Sequence, residues 1–151
     1  MVLNSLVLSV LIDQSKGVVM QERLEDLDAL LKTLSPKVRA GKYVFACVDE
    51  YTAARLRPIV TVREDEGTTV VVELGEAIEL RLAYDFISAW ITLDVHSSLD
   101  AVGLTATVSR VLTDEGISAN VVAGFHHDHI FVPHDRAEDA VECLRRLTHS
   151  G

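Results

Sequence analysis

Residues 95–133 read VHSSLDAVGLTATVSRVLTDEGISANVVAGFHHDHIFVP, and the spacing of the apolar residues changes along the stretch. Just before and into it, FISAWITLDV (86–95) places Ile91, Leu93 and Val95 at period two, the pattern of a strand with one buried face. Leu104, Val108, Val111 and Leu112 then follow helical spacing, with Ser98 or Asp100 available to cap the helix. Gly116, in DEGI, stands where a left-handed C-terminal residue is wanted. ISANVVAG (117–124) and HDHIFVP (127–133) read as two strands joined by a tight connection. Ala137, Ala140, Val141, Leu144 and Leu147 mark a closing helix. The order is strand, helix, strand, strand, helix.

Working outward, the first half gives a similar series. Leu6, Leu8, Val10 and Ile12 alternate as in a strand, and QSKG (14–17) is turn-like. Leu24, Leu27, Leu31 and Leu34 follow helical spacing up to the stop at Ser35-Pro36. KYVFACV (42–48) is a β-rich run, and YTAARLRP is a loop or short turn before the strand PIVTVRE (58–64). Glu66-Gly67 suits a hairpin turn into TTVVVEL (68–74), and GEAIELRLA (75–83) is a short helix or irregular connection. Two approximate copies of a ferredoxin-like β-α-β-β-α-β unit account for this order. The expected class is α+β with antiparallel sheets, divided into residues 1–84 and 85–151. The C-terminal copy is one strand short. The N-terminal strand at 5–12 is expected to supply it by crossing over, so that both units share one sheet. Met20 is an alternative natural start, which would make the first nineteen residues an extension.

Composition narrows the function classes. With 151 residues, 48% of them hydrophobic and 25% charged, the chain is long and apolar enough to bury a core. A formal charge of −9, with 14 scattered basic residues, speaks against nucleic acid, whose phosphates call for clustered Lys and Arg. The N-terminal apolar run is too short to span a bilayer and has neither a preceding basic residue nor a cleavage-site pattern. Cys47 and Cys143 lie far apart and read as reduced core thiols of a cytoplasmic protein.

VHSSLDAVGLTATVSRVLTDEGISANVVAGFHHDHIFVP resembles an ACT-type regulatory domain. LLKTLSPKVRAGKYVFACV and IVTVREDEGTTVVVE resemble the N-terminal unit of small stand-alone proteins that carry two ACT-like units in tandem, similar to aspartokinase regulatory domains and of unassigned function. The likeness covers about residues 24–148, with residues 1–22 a strand or extension outside it. Its most specific string is Asp100-Ala101-Val102-Gly103-Leu104, where many ACT domains have an aspartate-x-proline-glycine-leucine turn; Val102 replaces the proline. The resemblance implies a small ligand, commonly an amino acid, held between this loop and a strand of a facing domain. It points to Ser97, Ser98, Asp100, Val102, Gly103 and Leu104 from the loop, and to Asn120, Val122 and Ala123 from the following strand. Independently of the family, Gly103 permits close approach of backbone, and free N–H groups opening the helix suit a carboxylate. The bland alternative is that Gly103 serves helix packing and Asp100 only caps.

HHDHIFVPHD (126–135) holds four of the six histidines. On a strand His127 and His129 share a face and can reach one metal, with His96 or Asp94 completing a site. No cysteine or glutamate stands at ligand spacing, so a hairpin is the expected reading, without metal and without cofactor. No nucleophile-elbow, P-loop, dinucleotide or H-E-x-x-H string occurs, and no catalytic residue is assigned. The chain therefore reads as an amino-acid-binding regulatory protein, a homodimer acting on a separate protein partner. A ligand-free assembly module and a metal-dependent enzyme using the HHDH cluster are the rivals.

Overall fold

The computed structural model describes residues 26–95 and 102–148. Residues 26–33 are helical (α1), and Ser35–Val38 (β1) and Tyr43–Val48 (β2) follow. A four-residue helix Glu50–Ala53 (α2), capped by the Asp49 carboxylate accepting from the Thr52 N–H, leads to the hairpin Val60–Glu64 (β3) and Gly67–Glu73 (β4). Leu74–Glu79 (α3) connects to Ile87–Asp94 (β5). Then come Leu104–Asp114 (α4), Asn120–Ala123 (β6), Asp128–Pro133 (β7), a single 3-10 turn at His134–Arg136, and Ala137–Leu147 (α5). The stretch YTAARLRP, expected as loop or turn, thus begins with a short helix.

Seven antiparallel strands make one sheet, in the order β3-β4-β2-β5-β7-β6, with β1 also paired to β5. Two ferredoxin-like units are legible in that order. β5-β2-β4-β3 is one; β1-β5-β7-β6 is the other, and β5 belongs to both. Its start pairs with β2 through Tyr43↔Ser88 and Val44↔Ile87. Its later residues pair with β1, from Ser35↔Asp94 to Val38↔Ile91. The two units share a sheet, as expected, but the place beside β5 is filled by SPKV (35–38), read beforehand only as a helix stop. Pro36 can sit there because, among the described residues, β1 pairs with a neighbour on one side only, so no described ladder needs its missing N–H. The strand expected to cross over, residues 5–12, lies outside the described residues.

Residues paired across strands share a face, which sorts the core. Ala89, Ile91, Leu93, Val95, Ile130 and Val132 pack against Leu104, Val108 and Leu112 of α4 and Ala140, Val141, Cys143 and Leu144 of α5. Leu34 is in the same cluster, with Leu27, Leu30 and Leu31 of α1 against it. The helix from the first half of the chain thus covers the core of the second. A second cluster on the same face, Val44, Ala46, Val70 and Val72, is covered by Ala77 of α3, by Ala53 of α2 and by Leu56 just after α2. The opposite face carries Tyr43, Val71 and Phe131, with Phe45, Trp90 and Val122, and no described helix contributes to it.

The C-terminus of α4 closes as its sequence directs. Gly116 is left-handed (φ 66°), the Ile117 N–H reaches the Leu112 carbonyl at 2.8 Å and the Gly116 N–H the Thr113 carbonyl at 2.9 Å. These are the two bonds of a Schellman ending, with Ile117 tucked into the core. Because this ending uses Ile117, β6 begins only at Asn120 instead of at 117. Both cysteines are free, but only Cys143 is a core thiol; Cys47 points to the helix-free face and is exposed, correcting the expectation of two core thiols.

Candidate functional site

The ACT-like loop enters α4 at Gly103, which is the N-cap position in a left-handed conformation (φ 100°, ψ −18°) with no side-chain cap bond. Ser98 and Asp100, expected to cap, lie outside the described residues, as do Ser97 and His96. A β-carbon on Gly103 would stand 2.9 Å from Leu27 Cδ2. The close approach that this glycine permits is therefore made by α1. Val102 is 62% exposed beside it, whereas Leu104 is buried in the core and offers a ligand only its backbone. Asn120 and Val122 lie on edge strand β6, on the helix-free face, opposite Phe131 and His129; Ala123 is opposite Asp128 on the other face. Among the described residues no hydrogen bond joins the loop group (Val102, Gly103, Leu104) to the strand group (Asn120, Val122, Ala123).

The histidine-rich stretch forms the β6–β7 hairpin. The Gly124 N–H donates to the His127 carbonyl at 3.0 Å, and any side chain on Gly124 would collide with that oxygen at 2.6 Å. Phe125 at the tip is 80% exposed. His127 Nε2 stands 3.2 Å from Asp94 Oδ1, and Lys37 Nζ pairs with Asp94 Oδ2. One carboxylate thus ties β1 to the hairpin across β5. Hydrogen bonding from Lys37, then its charge and that of His127, holds the Asp94 carboxyl below its ordinary value.

His129 faces the same way but is engaged differently. The Trp90 indole N–H donates to His129 Nδ1 at 3.1 Å, and Thr92 Oγ1 lies 3.3 Å from the same nitrogen. An indole nitrogen only donates, so Nδ1 must be an acceptor and the proton sits on Nε2. Burial, followed by electrostatic interaction with the nearby His127 and Arg39, pushes the imidazole below its usual value, in keeping with that neutral form. Arg39 Nε donates to Thr92 Oγ1 at 2.9 Å, and its guanidinium carbon lies 5.5 Å from the Trp90 ring centroid. His127 and His129 are committed to different partners, and among the described residues no group of three His, Cys, Asp or Glu side chains is placed to hold a metal ion.

Of the Arg39–Thr92–His129–Trp90 network only His129 was among the candidate residues read from the sequence, and there as a metal ligand. The network's signal was present: if Ile91, Leu93 and Val95 line one face of β5, Trp90, Thr92 and Asp94 line the other. What period two does not reveal is which residues stand beside them on β1 and β7.

Two matches to ACT domain family models cover residues 24–89 and 86–146. A crystal structure of a Vibrio cholerae protein of unknown function, described as a possible transport protein, is 42% identical, covering 83% of this chain and 98% of its own at a TM-score of 0.77. The regulatory subunit of aspartate kinase from Thermus flavus is 9% identical, covering 75% of this chain and 96% of its own at a TM-score of 0.56. Aspartokinase III of E. coli, solved with aspartate and ADP, is 14% identical, with 74% of this chain and 32% of its own covered at a TM-score of 0.56. The latter two likenesses concern the fold alone. No curated protein matches the chain. No helix among the described residues is long and apolar enough to cross a membrane.

Proposed function

From a chain that belongs to the ACT domain family and carries two such domains in tandem, we propose a regulatory protein that binds a small metabolite, an amino acid, and acts through a ligand-linked change of shape or assembly. The tandem family match carries this reading. The ligand sits between the loop before α4 (Ser97, Ser98, Asp100, Val102, Gly103, Leu104) and a β6 strand (Asn120, Val122, Ala123). The open N–H groups of α4 take its carboxylate. Among the described residues the loop and strand groups share no hydrogen bond, which supports a strand contributed by a second copy. Among the described residues β6 and β3 are the ends of the sheet, and such edges suit a homodimer. The ligand shifts the balance between two arrangements and passes the effect to a separate protein partner in the cytoplasm.

A thermal-shift screen of the twenty amino acids tests this directly. A ligand at a hundredfold excess over its dissociation constant adds about 2.7 kcal/mol of stability, and Asp100→Ala and Asn120→Ala should abolish the shift. A flat screen at millimolar concentrations defeats the amino-acid reading. One observation favours the second reading, a ligand-free assembly module: the space opened by Gly103 is taken by Leu27. In that case the screen stays flat and Asp100→Ala with Asn120→Ala leaves assembly intact.

A further inference from the structure

The helix-free face of the sheet carries a polar group that the loop site does not use. Trp90 is the chain's single tryptophan. It lies half-buried beside Tyr43 (ring centroids 5.4 Å, edge-on), Phe131 (6.3 Å, stacked) and His129 (5.4 Å, edge-on). Arg39 is exposed, follows β1, and continues its ladder through its own N–H to the Trp90 carbonyl at 2.8 Å. Its side chain is held at two points: Nε on Thr92 Oγ1 and the guanidinium over the indole. Among the described residues the two terminal nitrogens of this guanidinium have no partner.

An arginine anchored through Nε and an aromatic ring has already lost most of the freedom that a flexible side chain gives up on binding. Its terminal nitrogens present a fixed fork that matches two oxygens of one group. We propose that Arg39 and Trp90 form a receptor for a small monocarboxylate on the helix-free face, separate from the loop before α4. The carboxylate takes the two terminal nitrogens of Arg39, and the apolar body of the ligand lies along the edge of the indole, whose faces meet Arg39 and Phe131. One negative charge fits better than two. Lys37, the nearest other cation along β1, is already paired with Asp94, and Glu73 stands opposite Tyr43 on the same face. A phosphate dianion would meet the Arg39 guanidinium in a chain of net charge −9.

The lone tryptophan makes the site its own reporter. Its emission is followed while cyclohexanecarboxylate, the neutral cyclohexanecarboxamide or inorganic phosphate is added to the full chain. The carboxylate should give a saturable change, and the amide and phosphate none. Arg39→Gln should weaken binding tenfold or more, the loss expected for a bidentate charge-assisted contact (about 10-fold to 100-fold). Thr92→Val keeps the charge but frees Nε, and should also weaken binding even if Arg39→Gln folds poorly. Arg39→Gln should leave in place any thermal shift that an amino acid gives, which separates this site from the amino-acid site proposed above. No saturable change at tens of millimolar carboxylate, an equal response to phosphate, or full binding by both Arg39→Gln and Thr92→Val would overturn the proposal.

Discussion

Gly103→Ala is the substitution whose cost the structure defines best. At φ 100° an L-residue is strained wherever it has room, and here it has none, since the new methyl would stand 2.9 Å from Leu27 Cδ2. Holding alanine in that conformation costs about 1–3 kcal/mol. Leu27 Cδ2 is the end of a flexible side chain, so it yields by leaving its rotamer, at about 0.5–1.5 kcal/mol. Together these give about 1.5–4.5 kcal/mol, or roughly 3–18 °C in melting temperature for a chain of this size. The two parts separate in a double-mutant cycle followed by thermal or urea unfolding. With Leu27→Ala in the background the collision disappears while the backbone strain stays. The double variant should then be more stable than the sum of the single losses by about 0.5–1.5 kcal/mol. A loss below about 0.5 kcal/mol for Gly103→Ala would refute the left-handed backbone. Additive losses would refute the contact between α1 and the loop.

The remaining predictions concern the sheet. His129 is held neutral below its ordinary value by burial and by His127 and Arg39. The unfolded chain therefore takes up a proton near pH 6.5 while the fold resists it, and stability falls as pH drops from there toward the lower folded value. Melting temperatures between pH 7.5 and 5.5 should decline less steeply in His129→Gln than in the parent, and equal slopes would show that this imidazole is not coupled to folding. Leu34 is 4% exposed in the core of the second unit. Leu34→Ala should cost about 2–5 kcal/mol in urea unfolding, and a loss under about 1 kcal/mol would mean that the α1–β1 segment is peripheral to that core.

The second half was legible because its signals are local. Leu104, Val108 and Leu112 form the buried stripe of α4, Gly116 is the left-handed residue that ends it, and β5 and β7 lie within about a residue of their expected spans. The ferredoxin-like strand order was legible too, because a missing fourth strand is a matter of counting. Its identity was not. SPKV has no alternation to read, and a proline beside a helix end is a stop signal whether or not a strand follows. Only the register with β5, from Ser35↔Asp94 onward, makes it a strand. Asn120 was named from the resemblance and lies on β6, at one end of the described sheet, but Arg39 was not named, because its neighbours Thr92 and Trp90 are more than fifty residues away in sequence.

The way β5 is shared also decides how the loop can communicate. The direct seam between the units is short: β2 meets β5 in only two residue pairs. The other connection is stronger, since α1 packs on the second core and β1 adds four pairs to β5 before the chain turns at Gly41 (φ 104°) into β2. The Tyr43 hydroxyl closes that turn on the Ala40 carbonyl at 2.6 Å, and Arg39 fastens its near end to Trp90 and Thr92. A displacement of the loop at Gly103 meets Leu27 first. From Leu27 the only covalent route to the first unit is α1, β1 and this turn. The double-mutant cycle at Leu27 and Gly103 is therefore more than a packing test. If the two residues do not interact, a displacement of the loop is not passed to α1, and this route to a ligand-linked rearrangement between the tandem units is lost.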